Sequence, residues 1–147
     1  MNKNYLITID GKHITGEDVE TVSLSTLGNF GSQDGKFFIT YEETEATGFA
    51  GDVTTFTVEN ENLATLERNG RTSSKLFMEK GQKHMCHYRT GAGNLVVGIL
   101  AETIENRLTP KGGEVKLKYT LDLNSSVLSV NELNITVKEN RANARPC

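Results

Sequence analysis

Polar and apolar positions alternate along most of the chain, and the 3.6-residue apolar stripe of an amphipathic helix is almost absent. β-Branched and aromatic residues recur in runs of strand length, bounded by clusters of Gly, Asn, Asp and Ser. The pattern predicts strands over residues 5–10, 20–28, 36–45, 52–59, 63–69, 73–80, 83–90, 94–104, 114–123 and 127–138. The connections "ENEN" (59–62), "NGR" (69–71), "KGQ" (80–82), "GAGN" (91–94) and "NSS" (124–126) are short. They put Gly or Asn where a tight hairpin requires positive φ.

Strand following strand through tight turns is an antiparallel meander. Without helices to cover it, such a sheet closes or nearly closes so as not to leave a long exposed edge. The expected fold is all-β, a single antiparallel meander β-barrel of about eight to ten strands. It is expected to occupy residues 1–140 as one domain, with residues 141–147 a disordered tail that loses all alternation.

Period-two alternation also assigns faces. Phe37, Ile39, Tyr41 and Glu43 point inward from one strand, Ala64, Leu66 and Arg68 from another, and Val115, Leu117, Tyr119 and Leu121 from a third. A carboxylate, a guanidinium and two phenols therefore face one interior. Burying Glu43 or Arg68 unpaired is prohibitive, so each predicts the other, or a ligand, as its partner. A planar guanidinium suits a carboxylate well. Two readings stay open: a structural network that fixes strand register, or the polar lining of a small-molecule pocket.

The stretch "KGQKHMCHYRTGAG" (80–93) holds two of the three histidines and one of the two cysteines. On a strand, His84, Cys86, Tyr88 and Thr90 share one face, while Lys83, Met85, His87 and Arg89 share the other. His84 and His87 thus diverge, and His13 lies far upstream in an expected turn, so no metal site is expected. Cys86 has His84 beside it but no orienting third group or oxyanion hole, and a buried cysteine is usually a small hydrophobe. "GNFGSQDG" (28–35) is read as a connection between strands; it opens no helix and is not a phosphate cradle. No nucleophile elbow or zinc-protease motif occurs, and no cofactor is expected.

The chain has 147 residues and a net charge of −3, a balance that disfavours nucleic acid as a main partner. Arg107, Lys111, Lys116 and Lys118 are scattered over a loop and a strand and read as a solvated face. Two cysteines make no disulfide framework, and the opening "MNKNYLITID" lacks the features of a secretory leader. The longest apolar run, "NLVVGILA", is strand length, so no membrane span is expected. A soluble, cytoplasmic setting is the expectation.

The motifs "ITYEET" (39–44), "TTFTVENENLATLERNG" (54–70), "SSKLFMEKG" (73–81), "HYRTGAGNL" (87–95), "GGEVKLKYTLDLN" (112–124) and "NELNITV" (131–137) occur in this order. In order and spacing the chain resembles the YwiB-like family, small bacterial proteins with a calycin-type (lipocalin-like) β-barrel and no established activity. Tyr41, Glu43, Arg68, Gly70, Phe77, Gly81, Tyr88, Thr90, Gly93, Tyr119 and Leu121 match its pattern; Gly91 departs from it, standing where a proline is expected. The resemblance implies a barrel and a bacterial cytoplasmic protein, and brings no substrate.

Three functions are compatible with these residues. One is a barrel binding a small polar or anionic ligand through Arg68 and Glu43, with Tyr41, Tyr88, Thr90 and Tyr119 around it. The second is a filled barrel that contacts another protein or a second copy of itself. The third is an enzyme using Glu43 or a tyrosine as acid or base, for which no nucleophile–base–orienter set is visible.

Overall fold

The computed structural model describes residues 4–44, 50–70, 73–90 and 93–140. The expected tail 141–147 lies outside the described residues, as do the side chains of residues 88–90 and 93–94. Ten strands are described: β1 (Tyr5–Thr15), β2 (Asp18–Gln33), β3 (Lys36–Glu42), β4 (Val53–Val58) and β5 (Leu63–Asn69), then β6 (Ser74–Glu79), β7 (His84–Thr90), β8 (Gly93–Thr109), β9 (Gly112–Leu123) and β10 (Ser126–Glu139). They form one antiparallel sheet in the order β6-β5-β4-β3-β2-β1-β10-β9-β8-β7. The first and last strands pair with each other inside the sheet, so its two edges are β6 and β7, adjacent in sequence. A bridge between Lys80 and Ala101, with the Gly81 N–H donating to the Ala101 carbonyl at 3.1 Å, draws the edges together into a nearly closed barrel. The fold is the all-β meander barrel that the alternation predicts. No described helix is long and apolar enough to cross a membrane.

The alternating apolar residues fill the interior. Ile7, Ile39, Phe56, Val58, Met78, Ile99, Val115 and Val137 are fully buried and hold the wall strands together. Bulges between Ala101 and Thr103 in β8 and between Val127 and Ser129 in β10 shift the alternation, so Ala101 and Ile104 are both buried.

The first hairpin departs from expectation. β1 and β2 run through "GKHIT" and "DVE" to a turn at Gly16, and β2 continues through "GNFGSQ", which reads in the sequence as a connection. Polar composition hides the hairpin tip because little core lies beneath it. Glycine hides the continuation: a Cβ at Gly28 would lie 2.3 Å from the Thr40 carbonyl oxygen and 2.6 Å from Ile7 Cδ1. Gly28 marks close strand contact rather than a loop. His13, expected in a turn, sits on β1 opposite Glu20 and Asn131.

Candidate functional site

Register places Tyr41 of β3, Thr54 of β4 and Arg68 of β5 side by side on one inward rung. Glu43 follows the end of β3, where its N–H donates to the Asp52 carbonyl at 2.8 Å. Its carboxylate, with a side chain only 1% exposed, accepts a hydrogen bond from the Thr54 hydroxyl. It also meets Arg68 Nη2 at 3.5 Å, the arginine side chain being 16% exposed. The mutual pairing inferred from burial is therefore present. The Tyr41 phenol hydrogen-bonds to Glu43; burial first, and the adjacent carboxylate second, push its pKa well above the ordinary tyrosine range. Tyr41 is a proton donor here.

Asp52 is buried beside this cluster, and alternation offered a signal for it. It shares the inward parity of Thr54, Phe56 and Val58, but a carboxylate at a strand start reads as a turn residue. Gly70 makes room for it: a Cβ there would lie 2.1 Å from Asp52 Oδ1.

A second polar rung crosses the opposite wall through Glu20 (β2), His13 (β1), Asn131 (β10) and Tyr119 (β9), each the cross-strand neighbour of the next. His13 Nδ1 lies 2.5 Å from Asn131 Oδ1, and Asn131 Nδ2 donates to Ser129 Oγ at 3.0 Å. Asn131 and Ser129 are buried. The sequence conceals this group, because the polar stretch around His13 reads as a turn and a bulge just before Ser129 reorients β10.

Between the two rungs lies a cavity of about 420 Å³. Ile9, Leu24, Leu66, Leu133 and Ile135 form apolar walls, and it reaches the exposed Lys12, His13 and Glu20 at its mouth. Of the expected site residues, Tyr41, Glu43, Arg68 and Tyr119 line it. Tyr88 and Thr90 belong to β7, paired with Leu95 and Gly93, and their side chains lie outside the described residues. Among the described residues, none of β7 lines this cavity.

β7 instead forms the seam of the barrel. The Phe77 N–H donates to Cys86 Sγ at 3.4 Å, His84 Nε2 meets Glu79 Oε1 at 2.8 Å, and the Phe77 and His84 rings stack at 5.8 Å. His84 thus contacts a carboxylate, and burial pushes the Cys86 thiol pKa up, opposite to what a nucleophile needs. Among the described residues no three His, Cys, Asp or Glu side chains gather as metal ligands. Outside the barrel, Lys116 faces Glu105 and Lys118 faces Glu132 across the strands, with Lys118 Nζ also 3.6 Å from Glu102. These scattered basic residues are therefore interleaved with acids, as on a solvated face.

Comparison with known proteins agrees with the resemblance carried by "YEE", "RNG" and "YTL". The sequence matches the family described as Domain of unknown function (DUF1934) over residues 7–135. The fold is similar to the crystal structure of the ywiB protein from Bacillus subtilis, with a TM-score of 0.80 at 15% identity, covering 93% of this chain and 92% of that one. At that identity the likeness carries the fold. No curated protein matches.

Proposed function

The chain belongs to the family described as Domain of unknown function (DUF1934), and we propose that it is a non-enzymatic barrel that binds a small polar ligand in the cavity beside Arg68 and Glu43. The observation that carries this reading is a half-open cavity of about 420 Å³ with apolar walls and convergent polar groups. Small-molecule sites have this size and composition, with roughly 300–1,000 Å³ and a few placed polar groups. Arg68 is the anchor and Glu43 fixes its planar fork. Because Glu43 already meets the arginine charge, recognition rests on directed hydrogen bonds more than on net anionic charge. Tyr41 and Tyr119 complete the polar wall, and Tyr88 and Thr90 are assigned a role at the site only by their match to the family pattern.

The cavity weighs against a wholly filled barrel acting through its outer surface. The protonated Tyr41 phenol weighs against a tyrosinate base. The alternating charges on β8, β9 and β10 weigh against a nucleic-acid surface. A reducing, cytoplasmic setting suits the buried free thiol of Cys86.

A panel of metabolite classes, followed by ligand-observed NMR and thermal shift, tests the reading on the wild type and on Leu133→Phe. That substitution narrows the cavity from the β10 wall without replacing either member of the Glu43–Arg68 pair. One class is expected to bind saturably, raise Tm, and bind more weakly to the variant. Affinity unchanged in Leu133→Phe, or an absence of saturable binding across the panel, overturns the proposal.

A further inference from the structure

The polar end of the cavity opposite Arg68 is built around a histidine. Two buried polar side chains, Ser129 and Asn131, are engaged there in holding one exposed imidazole. Burying an amide and a hydroxyl costs stability unless each is hydrogen-bonded, and hydrophobic residues would fill this wall at no such cost. Asn131 Nδ2 donates to Ser129 Oγ, which turns Oδ1 toward His13 Nδ1. An amide oxygen only accepts, so Nδ1 carries a proton, and in the neutral ring Nε2 then keeps its lone pair. His13 is among the residues that line the cavity mouth.

The charges around this end are unequal. Arg68 is met by Glu43, and Lys12 stands opposite Glu132 across β1 and β10. Among the residues lining the cavity this leaves the carboxylate of Glu20, opposite His13 across β1 and β2, as the excess charge. A lone-pair acceptor beside a carboxylate favours a head group that donates and carries positive charge. The walls of Leu24, Leu66 and Leu133 favour an apolar body behind it.

We propose that His13, held by Asn131 and Ser129, is a ligand-recognising residue whose Nε2 accepts a hydrogen bond from the head group of a small amphipathic amine seated in this cavity. The inference rests on the reading of the cavity as a binding site; it names the head group taken at the end opposite Arg68 and places the ligand's far end, rather than that head, toward the guanidinium. Asn131 acts through His13 and is a positioning residue.

The test uses three probes with one chain and different heads: hexylamine, hexanol and hexanoate, titrated by ligand-observed NMR. The wild type is expected to bind hexylamine most tightly and hexanoate least. His13→Phe is expected to weaken hexylamine about tenfold, the loss of one hydrogen bond to a charged group, and to erase the preference. His13→Gln, which retains an acceptor, is expected to recover part of it. Leu133→Phe is expected to weaken binding of all three.

Hexanoate binding as tightly as hexylamine, or a preference unchanged in His13→Phe, overturns the inference. If Leu133→Phe still weakens binding in that case, the cavity reading stands; binding indifferent to Leu133→Phe ends both. A second readout needs no ligand. At about pH 8, above the ordinary histidine range, the imidazole nitrogen shifts are expected to report an Nδ1–H tautomer. Asn131→Leu is expected to return the ring to the Nε2–H form usual in water. A wild-type ring already in the Nε2–H form overturns the proposal.

Discussion

The backbone amide of Phe77 donates to the thiol of Cys86 across the seam between β6 and β7. Elsewhere around the barrel neighbouring strands share ladder hydrogen bonds; here, among the described residues, a side chain accepts in place of a carbonyl. The seam is therefore held by the thiol, the His84–Glu79 contact and the bridge at Lys80, a sparser set than a ladder. Removing the acceptor with Cys86→Ala leaves a part-buried N–H unsatisfied and is expected to cost about 1–3 kcal/mol. Urea unfolding measures that loss. Hydrogen exchange locates it: the Phe77 amide should lose protection while Ile39 and Phe56, away from the seam, change little. Unchanged protection at Phe77 would remove the thiol from any role in closure.

Alkaline pH should weaken the fold through two groups whose pKa values are raised. Each binds its proton more tightly folded than unfolded, so its contribution is full below the unfolded pKa and is lost as pH rises toward the folded one. For Cys86 the loss begins near the ordinary value of 9.0, and for Tyr41 near 10.0. The urea midpoint is expected to hold steady to about pH 9 and fall steeply above it. Tyr41→Phe should flatten the upper part of that fall. In a Cys147→Ser background, iodoacetamide should label Cys86 slowly at neutral pH. Fast labelling would contradict both the burial and the raised pKa.

The Glu43–Arg68 pair makes an asymmetric prediction. Arg68→Met strands a carboxylate that is almost wholly buried and is expected to cost about 3–5 kcal/mol. Glu43→Gln leaves a partly exposed guanidinium with Thr54 and Tyr41 still placed to hydrogen-bond, and is expected to cost less. The double variant should be more stable than the sum of the two losses predicts, with a coupling of about 1–3 kcal/mol at pH 7. Additive losses would mean that the two charges do not depend on each other.

This pair was legible in the sequence because one parity runs through Ile39, Tyr41 and Glu43 and through Ala64, Leu66 and Arg68, although Thr65, which that parity puts outside, is buried as well. Ile39, Tyr41, Ala64, Leu66 and Arg68 have the faces their parity assigns. What parity conceals is any place where the strand breaks its own period or outruns the core. The bulge before Ser129 concealed Asn131, and the polar tip of the first hairpin concealed His13. Closure between strands that are neighbours in sequence was equally invisible. Hydrophobic pattern reports which face is buried, not which edges meet, so the seam passed for an ordinary hairpin.

Gly70 joins the hidden and the legible parts of the site. A Cβ there would fall 2.1 Å from Asp52 Oδ1 and 2.9 Å from Asp52 Cα, so moving the carboxylate alone does not relieve the clash. Its φ of 154° adds backbone strain for an L side chain. Gly70→Ala is expected to cost about 2–4 kcal/mol by urea unfolding, against little change, within about 0.5 kcal/mol, for Gly31→Ala, where a Cβ meets nothing within 4 Å. The displacement should also travel. Asp52 holds the Glu43 backbone through its carbonyl, and Glu43 helps to keep the Tyr41 phenol protonated. Ultraviolet titration of Gly70→Ala should therefore show Tyr41 ionising at lower pH than in the wild type. A destabilised variant with an unshifted Tyr41 would confine Gly70 to local packing and separate Asp52 from the polar wall of the cavity.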